Sequence, residues 1–199
     1  MEKKLMANQI RGRAIGATFF AVFGSIWILL ALYVKQMLHV TTGLWLALDL
    51  TVLLAMAWWL SQQARRFPMA PEDPAQSRTF VRINVLQWVA VAAVCALFGR
   101  LRWDAYTLCA VTAIVGLHLF PLARLFRYPA HYVTGSLLVA WAAVSAAVTP
   151  AEHLQGTSAM GTGILLMLSS FATLILAATA VRRSAPSLAG ESSAARIQP

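Results

Sequence analysis

Residues 14–34 read AIGATFFAVFGSIWILLALYV, twenty-one positions without a charge. At about 1.5 Å per residue, a helix of that length covers roughly 30 Å, the hydrocarbon thickness of a bilayer. Five further stretches of similar length follow at 42–60, 80–99, 105–124, 131–149 and 161–181, and Asp49 is the one acid inside any of them. Core helices of a soluble chain carry polar stripes on their outer faces. Runs this long and this apolar lack them, so the chain reads as all-α, a polytopic membrane bundle of six transmembrane helices. Composition agrees: charged residues make up 12%, about half the share found in soluble domains.

The charges orient the bundle. Thirteen of the sixteen Lys and Arg fall on one side: Lys3, Lys4, Arg11, Arg13, Arg65, Arg66, Arg78, Arg82, Arg124, Arg127, Arg182, Arg183 and Arg196. Only Lys35, Arg100 and Arg102 fall on the other. Cationic loops stay in the cytoplasm, which predicts both termini inside. The net charge of +9 then reads as topology and attraction to anionic lipid in the bilayer. The cations are dispersed and no recognition motif accompanies them, which argues against nucleic-acid binding. A preference for Arg over Lys and abundant Ala point to a GC-rich bacterial source, hence the inner membrane.

The first apolar run exceeds the 7–15 residues of a signal h-region and ends in Leu32-Tyr33-Val34-Lys35 without a small-x-small site, so it is expected to remain as a membrane helix. Before it, Glu2 to Arg13 reads as a short amphipathic interfacial turn or a frayed terminus. One domain covers 1–183. Its longest connection, 61–79, contains Pro68, Pro71 and Pro74 and is expected to be extended. The Ser-, Ala- and Pro-rich tail 184–199 is expected to be disordered.

Helix contacts are foreshadowed by small residues, which let backbones approach where lipid removes the hydrophobic drive. Ser136, Ala140, Ala143 and Ala147 recur on one helical face, Gly16 and Gly24 mark the first span, and Ser169, Ser170 and Thr173 can bond within or across helices. Ordinary close packing explains these faces; a homo-oligomer contact is the alternative.

Four polar groups lie at depth. Measured from span midpoints at about 1.5 Å per residue, Asp49 falls about 4 Å to the outer side. By the same arithmetic Gln87, Asn84 and His118 fall about 4, 8 and 5 Å to the cytoplasmic side. They are expected to form one polar column on three consecutive helices. The axial offset of about 9 Å between Asp49 and His118 leaves no direct contact. An ionised carboxylate at that depth costs about 2.5–3.5 kcal/mol on insertion scales. Asp49 therefore reads either as a proton- or cation-handling group or as a hydrogen-bonded lock between the second and third helices. His118 precedes Pro121, which removes the hydrogen bond to the Leu117 carbonyl. With Gly116 adding slack, a kink is expected there.

Other chemistry finds little footing. His39, His118, His131 and His153 lie in different segments without metal-ligand spacing. Cys95 and Cys109 sit symmetrically about the third hairpin, where a disulfide or two ordinary small residues are both compatible with the spacing. No HExxH, GxSxG or phosphate loop occurs. Neither catalytic residues, nor a metal site, nor a cofactor is expected.

The segment GLHLFPLARLFRYPAHYVTG, Gly116 to Gly135, resembles the signature stretch of a family of small bacterial multi-pass membrane proteins. In that family a Gly-x-His-x-x-Pro-Leu-Ala run ends one helix and Tyr-Val-Thr-Gly opens the next. The resemblance implies a six-helix inner-membrane protein and carries no activity. It singles out His118, Pro121, Arg124, Arg127 and Gly135, with Arg124 and Arg127 placed either to hold a lipid headgroup or simply to orient the chain. The functional expectation is a small transporter or permease-like bundle for an ion or small molecule, with Asp49, Asn84, Gln87 and His118 lining its path. The alternative is a non-transporting accessory or lipid-interacting protein whose buried polar groups only specify packing.

Overall fold

The computed structural model describes residues 2–65 and 73–194, with side chains over 10–65 and 73–181. Six α-helices and one 3-10 turn make up the described fold: α1 (Glu2–Val34), α2 (Val40–Ala64), α3 (Pro74–Leu101), the turn Asp104–Tyr106, α4 (Thr107–Leu125), α5 (Ala130–Val148) and α6 (Ala151–Ala194). Each carries a segment long and apolar enough to cross a membrane. The chain is a multi-pass membrane protein.

The helices outrun the apolar stretches at their ends. α1 begins at Glu2 and continues through the basic segment without a break. Pro74, expected within an extended connection, is instead the first residue of α3, where a missing N–H costs nothing. The Asp73 carboxylate caps that end by accepting from the Ala75 N–H at 2.9 Å. The rest of the expected extended connection, including Pro68 and Pro71, lies outside the described residues. α6 is helical to Ala194, where composition pointed to a disordered tail from Ser184. A helix already nucleated gains one hydrogen bond per added residue. Residues 195–199 lie outside the described residues.

Three helices stop the same way. Gln36, Arg102 and Arg127 take φ of 56°, 59° and 49°. The next residue's N–H reaches back five positions: Met37 to Leu32, Trp103 to Phe98 and Tyr128 to Ala123, at 2.8, 2.8 and 3.0 Å. This is the Schellman closure, made here without its usual glycine.

α6 is the hub, packed on α1, α2, α4 and α5, while α3 packs on α4 and the 3-10 turn. Close backbone approach fixes the two main pairings. Along α1, Ala14, Ala17 and Ala21 are fully buried, and a Cβ on Gly163 would stand 2.8 Å from the Gly24 carbonyl oxygen. Ser170 of α6 donates to the Ala17 carbonyl at 2.8 Å. In the α4–α5 hairpin, a Cβ on Gly135 would lie 2.6 Å from the Gly116 carbonyl oxygen, and the reverse contact is 2.8 Å.

The expected small-residue face of α5 does not make these contacts. Ser136, Ala140, Ala143 and Ala147 are all exposed, and the buried side is Thr134, Gly135, Leu138, Ala142 and Ser145. Smallness alone does not say which side of a helix faces protein.

Candidate functional site

The first turns of α1, the last turn of α2, the first turn of α3 and the α4–α5 turn gather at one end of the bundle. There the Arg13 guanidinium lies 5.1 Å from the Tyr128 ring centre, and the Gln76 amide donates to the Leu125 carbonyl at 3.2 Å. At the opposite end Gln155 donates to the Asp104 carbonyl at 2.7 Å, and the Lys35 stem lies against Gly156. The first end is the basic one.

Just inside the basic end lie two histidines, and the Gly116–Gly135 approach explains their proximity. It brings α4 and α5 into close backbone contact two residues from His118 and four from His131. Both nitrogens of His118 and Nδ1 of His131 are buried without a hydrogen-bond partner among the described residues. His131 stands edge-on to two rings, 5.0 Å from Tyr128 and 5.5 Å from Phe20. Arg13 stacks on the far ring of this group, and the Tyr128 hydroxyl donates to Thr173 at 3.2 Å. A buried nitrogen without a partner costs on the order of 1–3 kcal/mol. Such groups are rare and call for a reason.

From the level of the histidines down to the outer half, α6 turns a row of hydroxyls towards α4 and α5. Ser158, Thr162, Ser169 and Thr173 stand at i, i+4, i+11 and i+15, one helical face about 22 Å long. Thr134 bonds Ser169 at 3.0 Å. Thr112 lies 2.7 Å from Thr162 and 3.4 Å from Ser158, and Cys109 lies 3.5 Å from Ser145. Thr112 and Thr162 each also reach a carbonyl of their own helix, at 2.8 and 2.7 Å. Each hydroxyl has one proton, and the 2.7 Å separation needs a proton between the two oxygens. One of the two carbonyls is therefore released, and the pair can be written in either direction. Leu119, Leu138 and Leu166, all nearly fully buried, pack into the same core.

Asn84 and Gln87 stand on the side of α3 that faces α4. α3 buries no residue completely; its half-buried row, Gln76, Phe80, Ile83, Asn84, Gln87, Val94 and Phe98, marks the side facing α4. Phe80 meets Phe126 at 5.7 Å, a register that sets Gln87 level with the His118 turn. The Asn84 amide donates to its own helix at the Phe80 carbonyl, 2.8 Å.

Asp49 stands apart. It is exposed, at the edge of the α2 stripe Leu46, Leu53, Ala57 and Leu60, on a helix packed against α1 and α6. α4 runs as helix through Pro121, which is exposed, and His118 donates nothing to the backbone loosened there. Arg124 and Arg127 are exposed at the basic end. Cys95 is exposed and Cys109 buried, both as free thiols.

Nothing in the sequence alone gives His131, Tyr128 or Arg13 a functional role, and of the four hydroxyls in the row only Ser169 and Thr173 stand out there as helix-bonding groups. The i, i+4, i+11, i+15 spacing on α6 was legible, but a span begun at residue 161 omits Ser158. His131 carried no signal, because its meaning depends on which helix lies beside it. Comparison with known proteins finds no matching family model, no similar curated protein and no similar solved structure.

Proposed function

We propose that this chain is a small inner-membrane transporter or permease-like protein whose polar path lies in the α4–α5–α6 core. His118 and His131 stand at the basic, cytoplasmic end of that path. The observation that carries the reading is the set of three buried imidazole nitrogens without partners on adjoining helices. An imidazole can take up and release a proton, and ionisable groups inside a membrane bundle mark ion and proton pathways. The hydroxyl pairs deeper in the core can reverse their donor direction, as a relay requires. Asn84 and Gln87 flank the path from α3. Asp49, on the outer side of α2, is not part of it within one chain.

Proton flux into vesicles tests this directly. In liposomes loaded with a pH-sensitive dye, with potassium and valinomycin setting the membrane potential, the wild-type chain should collapse an imposed pH gradient faster than empty vesicles. The double variant H118N/H131N should lose at least tenfold of that rate, and D49N should keep it. A wild-type rate equal to that of empty vesicles overturns the reading.

A second reading has its own observation. The buried leucines Leu119, Leu138 and Leu166 packed among the core helices and the outward position of Asp49 suit a non-transporting bundle that pairs with another membrane component. A wild-type chain without flux, whose D49N variant loses a co-purifying membrane partner, would favour it.

A further inference from the structure

One polar group of α2 is satisfied neither by lipid nor by its own bundle. Asp49 lies three residues from Val52, the middle of the Val40–Ala64 span, and its side chain is exposed. Among the described residues it has no hydrogen-bond or ion-pair partner. Ionisable side chains at such depth are costly in hydrocarbon and almost always pair or face a protein interior. Acyl chains offer no donor, so whatever covers this face must bring a polar group to the same depth.

The surface around Asp49 suits a helix. Trp45, Asp49, Val52, Met56 and Trp59 follow one another by four and three residues in turn, the seam along which two helices wrap left-handed. Trp45, Val52 and Trp59 are all exposed. Thr51, Leu54 and Trp58, which border α1 together with Ile15 and Thr18, occupy the other flank of α2. The Asp49 side therefore turns away from α1.

A second copy of this chain meets the requirement by symmetry. Copies insert the same way up, because the same loops carry the positive charge. A two-fold axis relating them runs along the membrane normal and sets every residue level with its own counterpart. Every Lys and Arg within the six spans lies in the first or last third of its span, so the group waiting at that depth is the second copy's Asp49. One carboxyl can satisfy another, the protonated form donating and the ionised form accepting. A single polar position in such a seam also fixes its register. We propose that the chain forms a two-fold dimer in the membrane, joined α2 to α2 by a hydrogen-bonded pair of Asp49 carboxyls.

Energy transfer between donor- and acceptor-labelled copies, diluted into vesicles of increasing lipid content, measures the association. The wild-type chain should dimerise. Asp49→Leu should weaken the dimer about tenfold, whereas D49N should keep it, because a carboxamide also both donates and accepts. H118N/H131N should keep it too, so this contact and the proton path fail separately. In a C95A/C109A background, oxidation should link V52C chains to one another and leave L86C chains, exposed on α3, unlinked. Thermal unfolding midpoints matching the wild type show that the variants are folded. A wild type that stays monomeric at every dilution, undiminished association of D49L, or equal linking of V52C and L86C overturns the proposal. A D49N chain as dissociated as D49L overturns it as well, in favour of a cation supplied by another membrane protein.

Discussion

At the scale of single residues, the bundle keeps groups that packing alone would not choose. Among the described residues both buried nitrogens of His118 lack a hydrogen-bond partner, and a leucine there would lose nothing in hydrogen bonding. His118→Leu should therefore raise stability by about 1–3 kcal/mol while abolishing flux, a trade typical of sites kept for activity. A denaturation series in mild detergent checks it. A loss of stability instead would show that the imidazole is a packing device. The glycines at the α4–α5 crossing make the opposite case. Gly135→Ala would press a methyl to 2.6 Å from a backbone oxygen that cannot move aside. Overpacking of this kind costs about 1–3 kcal/mol, and since the crossing joins the two helices that carry the histidines, the variant should lose the proposed flux as well as stability in the same assays.

At the scale of elements, helix ends and helix faces were legible to different degrees. Ends obey local rules, and Asp73 followed by Pro74 is a start signal that short-range chemistry explains. The three left-handed C-caps are local too, yet none carries the glycine that announces such a turn. A side chain in that conformation costs roughly 1–2 kcal/mol. Gln36→Gly should accordingly stabilise the protein by about 1 kcal/mol, read as a higher unfolding midpoint; an unchanged or lower one would mean that the α1–α2 turn relaxes its strain otherwise. Faces depend on neighbours. The Ser136, Ala140, Ala143 and Ala147 row has the right spacing for a contact and faces outward, while Thr134, Leu138, Ala142 and Ser145, on the other side of the same helix, meet the core.

At the scale of the whole molecule, two helices sit at the margins of a compact α1–α6 and α4–α5 core. α2 leans on α1 and α6, and α3 leans on α4, so the expected column from Asp49 through Gln87 to His118 is divided between two regions. Contiguity in sequence suggested that the second and third helices are neighbours; the connection between them is long enough to let them part. The bundle nevertheless has one basic end, to which the N-terminal segment and the α4–α5 turn both contribute. A protease site inserted at 36–38 should be cut from outside intact cells, and one inserted at 68–70 only after the membrane is opened. The reverse pattern would invert the assigned orientation, and with it the cytoplasmic placement of His118 and His131.

Length and hydropathy by themselves determined that this chain has six spanning helices, roughly where each lies, and which ends carry the positive charge. Those properties are sums over consecutive residues, and a bilayer reads them one segment at a time. Which polar groups meet was decided only by the tertiary structure. Helices in lipid associate through backbone approach and a few hydrogen bonds rather than through apolar burial, so hydrophobicity does not rank their faces. The Gly116–Gly135 and Gly24–Gly163 contacts made that choice, setting the helices that carry His118 and His131 side by side and leaving Asp49 outside.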